Sequence, residues 1–596
     1  MTAEIVETQY TIFQTIAGDE MRKMINTIPE PRIISYSKKN YSFIRRAIPE
    51  TLAVDLSKYF PSSFYLEDLA NETSETFVGS FCAFCLDDVK EVQNACEALK
   101  HIPKCTNKYL ILIPRITTIC QQIVDQSGLD LHLLECPLEI IPLEEKMFLV
   151  PSPHCFARCF IDDDINDVYT IARSLLKLQL FTGGVERSFV AGNLSNRVYT
   201  LLEQMKNQCG YSQFREPTFD DFFIIDRTVD LVTPLASQFY YGGLLDDKYE
   251  IDYGFMRIPD DVEIMDHPDK KEILLSDLTD VNYKELRGAT LSDTFDHFKK
   301  HRATIEKIKV DLKEKVGTVA WGSIAKRAQQ LTEEQPFALF HERMVTKILA
   351  ERHFMTDVYN YEYGILIQNP PEFGIISQIL NGGRLIEALR LLCFASIAGS
   401  SNIPPKVVEE VQQKIINQCG FSATQDLISL EKAGLLTCET GMFSNISFKS
   451  KVTIKDINSA LNVLVAHESN DNDDDKQNQD IQNGYDGYVP IIHRLVQHAL
   501  RGKWVQGSQT TKLMNKLGIP YKVVGNPEQA EDKINKPRKV LVFVIGGVTP
   551  TEICLFNEMS KVLFRDKYEF HVGTTNVTNG QKLIKSICPV IAEKSK

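Results

Sequence analysis

The sequence predicts an α/β protein: two parallel-sheet α/β domains and a large, mainly helical insertion. Three observations carry this. Buried, strand-like runs alternate with amphipathic helical runs from about residue 75 to 145; a second alternation stops before residue 260 and resumes after 488; the intervening segment has helical periodicity. At 596 residues the chain is too long for a single core.

The first domain, 1–142, is read from TFVGSFCAF and KYLILIP as strands, with DDVKEVQNACEALK and TTICQQIVDQS as helices between and after them, its sheet beginning near Arg32. The second, beginning at 143, supplies the amphipathic helix ARSLLKLQLF and the strand DDFFIIDR, apolar on both faces as a strand covered by helices must be. Its sheet is incomplete at residue 260. KVLVFVIGG and YEFHVGTT, in the segment 488–596, read as its missing strands, so the helical domain at 261–487 splits the sheet. Within the insertion, Leu291, Phe295, Phe298, Ile305, Ile308, Leu312, Val316 and Val319 recur near heptad spacing and predict one long helix with an apolar stripe. It opens a hairpin of about 290–355. Further helices are expected over about Phe337–Phe354, Leu385–Ala398 and Pro405–Gln418, the later ones in a second lobe of about 356–466. A linker over 467–487 contains Ser469–Gly484, acidic and nearly free of apolar residues, which cannot offset the entropy of ordering.

Composition excludes several classes. A net charge of −13 argues against a protein coated for nucleic acid. The N-terminus MTAEIVETQY has acids where a secretory signal needs bases and reads as a cytosolic start. Runs such as Tyr109–Ile113 and Val540–Ile545 fall far short of the roughly 20 residues that span a bilayer, so membrane association is expected to be peripheral. The 14 cysteines form no regular framework and read as reduced thiols.

The motifs that suggest chemistry lack their defining partners. Gly546 and Gly547 end a strand and feed a helix, a geometry that receives phosphate, yet neither G-x-G-x-x-G nor G-K-[ST] is present. Thr549 as N-cap, Pro550 at N1 and Glu552 at N3 fit a capping box instead. Cys82 and Cys85 form a C-x-x-C, with His154, Cys155 and Cys159 further on, but on a strand residues three apart face opposite ways, so core cysteines are the reading and no metal is assigned. Ile403–Leu436 has the outline of a winged helix without a basic recognition helix. No cofactor is expected. The long helix differs: Lys299–Lys315 holds seven Lys or Arg against three acids beside the stripe, so it reads either as a helix packed on its hairpin partner or as a template for an acidic amphipathic helix.

The stretch FFIIDRTVDLVTPLASQFYYGGLLDD, Phe222–Asp247, resembles the signature of the SM (Sec-one/Munc-eighteen) family, in which a strand ending in Asp-Arg precedes an Asp, a Thr-Pro-Leu and an acidic turn. LEKAGLL (Leu430–Leu436), GYDGYVP (Gly484–Pro490) and GGVTPTEI (Gly546–Ile553) are similar to its class C vacuolar-sorting branch. The resemblance implies an arch-shaped, non-enzymatic protein that binds SNAREs, syntaxin-like and R-type. It would template their assembly for endosome-to-vacuole or lysosome fusion, as a subunit of a tethering complex of the HOPS and CORVET kind. It further implies docking on an α-solenoid partner of the Vps sixteen type, a cytoplasmic location peripheral to late endosomes and vacuoles, and a syntaxin groove between the first α/β domain and the helical domain.

Phe298, Lys299, Arg302, Ile305, Lys309, Leu312 and Val316, with Lys307 and Lys313, are the expected SNARE contacts. Phe443, Ile446 and Phe448 are the candidate solenoid surface, a buried strand being the other reading. Asp226, Arg227, Asp230, Pro234, Gly546, Gly547, Thr549 and Glu552 are expected to be structural, the first three as a buried ion-pair cluster with Asp246 or Asp247 as further members. The alternative function is a nucleotide-dependent enzyme using the Gly546–Gly547 turn.

Overall fold

The computed structural model describes residues 12–37, 41–47, 63–67, 77–102, 105–152, 154–210, 216–265, 270–316, 321–367, 374–399, 403, 405–436, 453–465, 480–481, 483–528 and 536–595. The chain divides into two compact units, Met1–Pro151 with Asp252–Phe255, and Ser152–Ile251 with Met256–Lys596.

In the first unit, β1 (Arg32–Tyr36), β2 (Ser63–Tyr65), β3 (Phe77–Leu86), β4 (Cys105–Ile113) and β5 (His132–Glu135) form a parallel sheet in the order β2-β1-β3-β4-β5. Parallel neighbours need crossovers, which α1 (Val89–Leu99) and α2 (Thr118–Ser127) provide. Each begins where a side chain accepts the orphan amides: Asp88 those of Lys90 and Glu91, Thr117 that of Cys120. Phe81, Ala83 and Cys85 on β3 pack with Leu110 and Leu112 on β4 and with Val92, Ala95 and Leu99 on α1. Cys82 and Cys85 are buried in β3, as the strand reading required. The helix Ile12–Ile25 precedes the sheet, ahead of the expected start near Arg32.

The second unit begins with α3 (Cys155–Phe160) and α4 (Asn166–Thr182). Next come β6 (Arg187–Ala191), α5 (Asn193–Gln208) and β7 (Asp221–Asp226), then, far along the chain, β8 (Tyr521–Val524), β9 (Arg538–Ile545) and β10 (Tyr568–Thr574). These strands lie side by side in the order β8-β6-β7-β9-β10, parallel except for β8. β9 inserts between β7 and β10, with Val540 opposite Asp221 and Ile545 opposite Asp226, so one sheet is built from both halves of the chain. Its core stacks Phe189 on Phe223 at 4.7 Å, with Trp504 edge-on to Phe189 at 5.6 Å.

The helical segment belongs to this second unit. α6 (Leu291–Glu314) starts at a capping box formed by Thr290 and Asp293; α7 (Trp321–Ala350) follows it, and Arg352–Leu366 is helical in turn. The helix expected from Phe337 begins earlier, at Trp321. α7 runs through Pro336, which is buried inside the helix, so packing outweighs the lost backbone hydrogen bond. Leu385–Ala398 is helical over the expected span, and Pro405–Cys419 extends one residue past its expected end. The segment 437–452, with Phe443, Ile446 and Phe448, and most of the acidic linker lie outside the described residues.

Candidate functional site

The end of β7 is the first candidate. Asp226 and Arg227 leave the strand together but do not pair. Asp226 turns to the N-terminus of α5, accepting hydrogen bonds from the Leu194 and Ser195 amides at 2.8 and 2.6 Å and from the Ser195 hydroxyl at 2.5 Å. A carboxylate there satisfies orphan amides and meets the positive end of the helix dipole. Burial pushes its pKa up to about 6 against the pull of those donors.

Arg227 is fully buried and turns the other way. Its Nη1 donates to both carboxylate oxygens of Glu552, at 3.0 and 2.9 Å; its Nε donates to the Asp230 carbonyl at 2.8 Å; its Nη2 lies 3.3 Å from Asp230 Oδ2. Asp230 also accepts from the Thr233 amide (3.0 Å) and hydroxyl (2.6 Å) and from the Ile491 amide (3.0 Å). Pro234 sits in the buried turn Val232–Leu235 that presents Thr233. The ion-pair expectation therefore holds for Arg227 and Asp230, while Asp226 serves a helix cap and Glu552 is the second acid. Asp246 pairs with Lys582 at 2.5 Å and accepts from Asn579 at 2.9 Å, and Asp247 accepts from Gln238 at 2.9 Å, which places both in other networks.

The Gly546–Gly547 turn is sealed. Both glycines have positive φ, 104° and 117°; a Cβ on Gly546 would lie 2.9 Å from Arg227 Cβ, and one on Gly547 2.8 Å from Thr578 Cγ2. The helix it feeds, α8 (Pro550–Phe564), has its expected capping box: Glu552 N donates to Thr549 Oγ1 at 3.1 Å and Thr549 N to Glu552 Oε2 at 2.9 Å. Glu552 thus supplies the anion that a phosphate-binding turn would recruit from a ligand, and the same carboxylate holds Arg227. The arrangement is a knot tying β7, β9 and α8 together.

The second candidate is α6. Its apolar stripe is divided: Phe298 faces inward, while Phe295 and Val316 are exposed. Phe298 is 4% exposed, in a cluster with Phe340, Met344 and Val345 of α7, which corrects its expected role as a SNARE contact: the partner helix in the same chain occupies it. Ile305 and Leu312 are half-buried; Val316 is 68% exposed. Residues 295, 299, 302, 306, 309 and 313 follow heptad-like spacing on a different face, where Phe295, Lys299, Arg302, Glu306, Lys309 and Lys313 are all exposed. Four bases and one acid therefore extend along the helix from exposed Phe295, with Val310 also exposed. Arg302 pairs with Glu342 on α7, and Lys309 lies 3.1 Å from Glu306. At the base of the two helices, a buried chain runs from Tyr241 Oη to His341 Nδ1 (2.8 Å) and from His341 Nε2 to Asp280 Oδ2 (2.9 Å). No sequence motif marks it, because its members are 39 and 61 or more residues apart.

A sheet assembled across a long helical insertion, with a sealed glycine turn and an outward basic helix, defines a scaffold of the Sec1 type. Residues 75–586 match the Sec1 family, and the chain belongs to it. It is 26% identical over 522 residues to vacuolar protein sorting-associated protein 33A of Rattus norvegicus, spanning 80% of this chain and 81% of that one. Among solved structures it resembles the Unc18–syntaxin 1 complex from Monosiga brevicollis, with a TM-score of 0.60 at 14% identity, over 97% of this chain and 99% of that one. It also resembles the SM protein Vps45 in complex with the Qa SNARE Tlg2 (1-310), with a TM-score of 0.57 at 14% identity, over 97% and 98% of the respective chains. Those two likenesses are of fold. Among the described residues no helix is long and apolar enough to cross a membrane.

Proposed function

We propose that the protein is a SNARE-binding member of the family that holds SNARE helices in register for fusion at endosomal and vacuolar or lysosomal membranes. It works within a tethering complex, beside an α-solenoid subunit. The observation that carries this is the outward face of α6, basic and exposed along its length, with Phe295 and Val310 as apolar contacts. Assembly of a SNARE bundle is slowed by ordering several disordered segments at once, and a surface that preorganises one or two of them removes part of that entropy cost. Lys299, Arg302 and Lys309 would steer acidic helices, while Ile305 and Leu312 would act by fixing α6 on α7. The relatives named for vacuolar sorting, and the neighbours solved with syntaxin 1 and Tlg2, support the class of partner. The division 1–142, 143–260, 261–487 and 488–596 goes with this reading.

The test is binding of the full chain to soluble vacuolar Qa- and R-type SNARE domains, singly and in pairs. Lys299→Glu with Lys309→Glu should weaken binding about tenfold, roughly 1.4 kcal/mol, mainly through a slower, salt-sensitive association, with thermal stability unchanged. Equal affinity in this variant would move the site off α6. No SNARE binding even with the solenoid partner present would sink the reading.

A further inference from the structure

Cys155 and Cys159 lie one helical turn apart on α3, and Asp167 opens α4. Their donor atoms converge: Cys155 Sγ is 3.9 Å from Cys159 Sγ, Cys159 Sγ is 3.9 Å from Asp167 Oδ2, and all three lie within 4.8 Å of one another. Among the described residues this is the single group of three or more His, Cys, Asp or Glu donors with such mutual reach. We propose that Cys155, Cys159 and Asp167 form a binding site for a thiophilic divalent cation, zinc being the natural occupant, with a water molecule as fourth ligand.

The distances suit a tetrahedral ion. Bonds of about 2.3 Å to sulfur and about 2.0 Å to oxygen place two sulfurs about 3.8 Å apart and a sulfur and an oxygen about 3.5 Å apart. The donors are therefore within a few tenths of an ångström of where the ion needs them along two edges. The surroundings suit it as well. Asp167 offers Oδ2 to the site while its Oδ1 accepts from Arg158 Nη2 at 2.9 Å; the same nitrogen donates to Ser152 Oγ at 2.9 Å. A ligating carboxylate is held by such a partner in well-made sites.

Charge closes too. Two thiolates and one carboxylate carry three negative charges, and a divalent cation with the Arg158 guanidinium carries three positive ones, which a mostly buried site requires. Without the ion, the hydrogen bond with Cys159 and then burial hold the Cys155 thiol well above its ordinary pKa. Each thiol that ligates gives its proton to solvent, so uptake releases protons and strengthens as pH rises. The way in is on the Cys159 side, since Cys159 is only half-buried while Cys155 is buried. α3 also packs beside the sealed turn: a Cβ on Gly546 would lie 3.3 Å from Phe156 and 3.5 Å from Phe160. A bound ion would clamp α3 to α4 at the flank of the Arg227 knot.

The experiment is a titration of the reduced full-length chain with cobalt(II), followed by displacement with zinc. The expected result is one equivalent of cobalt with sulfur-to-metal charge-transfer absorption, displaced by zinc, together with a rise in melting temperature on zinc addition. Cys159→Ser and Asp167→Asn should each lose that equivalent and the temperature rise, and Arg158→Gln should weaken uptake about 10- to 100-fold. Cys159→Ser is the decisive variant, because its side chain is half-buried and the change is nearly isosteric; circular dichroism confirms that it folds. Cobalt absorption unchanged in Cys159→Ser would mean an adventitious metal at other thiols and would overturn the proposal. So would the absence of binding in the wild-type chain. An oxidant that consumes Cys155 and Cys159 as a pair in a chain that takes up no metal would make them a redox dithiol instead.

Discussion

Arg227→Met is expected to lower the unfolding free energy by about 3–5 kcal/mol, read as a lower urea midpoint. Removing the guanidinium leaves the carboxylates of Glu552 and Asp230 buried, at 1% exposure each, without a counter-charge. Asp230 keeps its three donors from Thr233 and Ile491, and Glu552 keeps the Thr549 amide, so the secondary structure survives while the charges do not balance. Adding Glu552→Gln should recover part of the loss, because the amide still accepts from Thr549 N and one of the two buried charges is gone. That recovery separates a charge effect from a cavity effect: a cavity left by the arginine would be as costly in the double variant. An Arg227→Met chain with the wild-type midpoint would mean that the knot does not hold β7, β9 and α8 together. With a loss of this size, a lower abundance of folded chain is expected in cells without the loss of any partner contact.

What was legible in the sequence follows the range of the interactions. β9 was readable because a strand covered on both faces is an unbroken apolar run, and the helix Leu385–Ala398 because its period is local. The Thr549–Glu552 capping box is a four-residue device and was legible for the same reason. Glu552 as the partner of Arg227 was not, since 325 residues separate them and nothing in either neighbourhood encodes the other. Asp226 and Arg227 adjoin in sequence and invited a pair, but successive residues at a strand end diverge, and each found a closer partner. On α6 the heptad stripe left open whether it packs on a hairpin partner or receives another helix; α7 takes Phe298, while Phe295, Val316 and the basic residues stay exposed. The helix expected from Phe337 is the C-terminal part of α7, which begins at Trp321 and carries Pro336 in its interior.

Asp247→Asn is expected to stabilise the protein at pH 8 by about 2–4 kcal/mol and to leave it nearly unchanged near pH 4. Asp247 lines a cavity of about 380 Å³ with Lys248, Glu351, Arg384, Glu387 and Arg390. Burial first, and then the neighbouring Asp246 carboxylate, push its pKa up to about 7, outweighing the Gln238 hydrogen bond and the Arg390 charge. In the unfolded chain the same group titrates near 4. Between those values the folded state holds a proton that the unfolded state has released, so unfolding expels it and stability falls as pH rises through the window. Arg390 cannot cancel the cost, because Glu362 and Glu387 each hold it at 2.7 Å. Lys248 is likewise engaged, 2.9 Å from Glu351. Asparagine keeps the oxygen that accepts from Gln238 Nε2 and removes the charge, so the variant's advantage should appear above pH 4 and level off above pH 7. Urea titrations of both chains at pH 5 and pH 8 measure it. A constant difference at the two values would show that Asp247 ionises as it does in the unfolded chain, and that the cavity already solvates it.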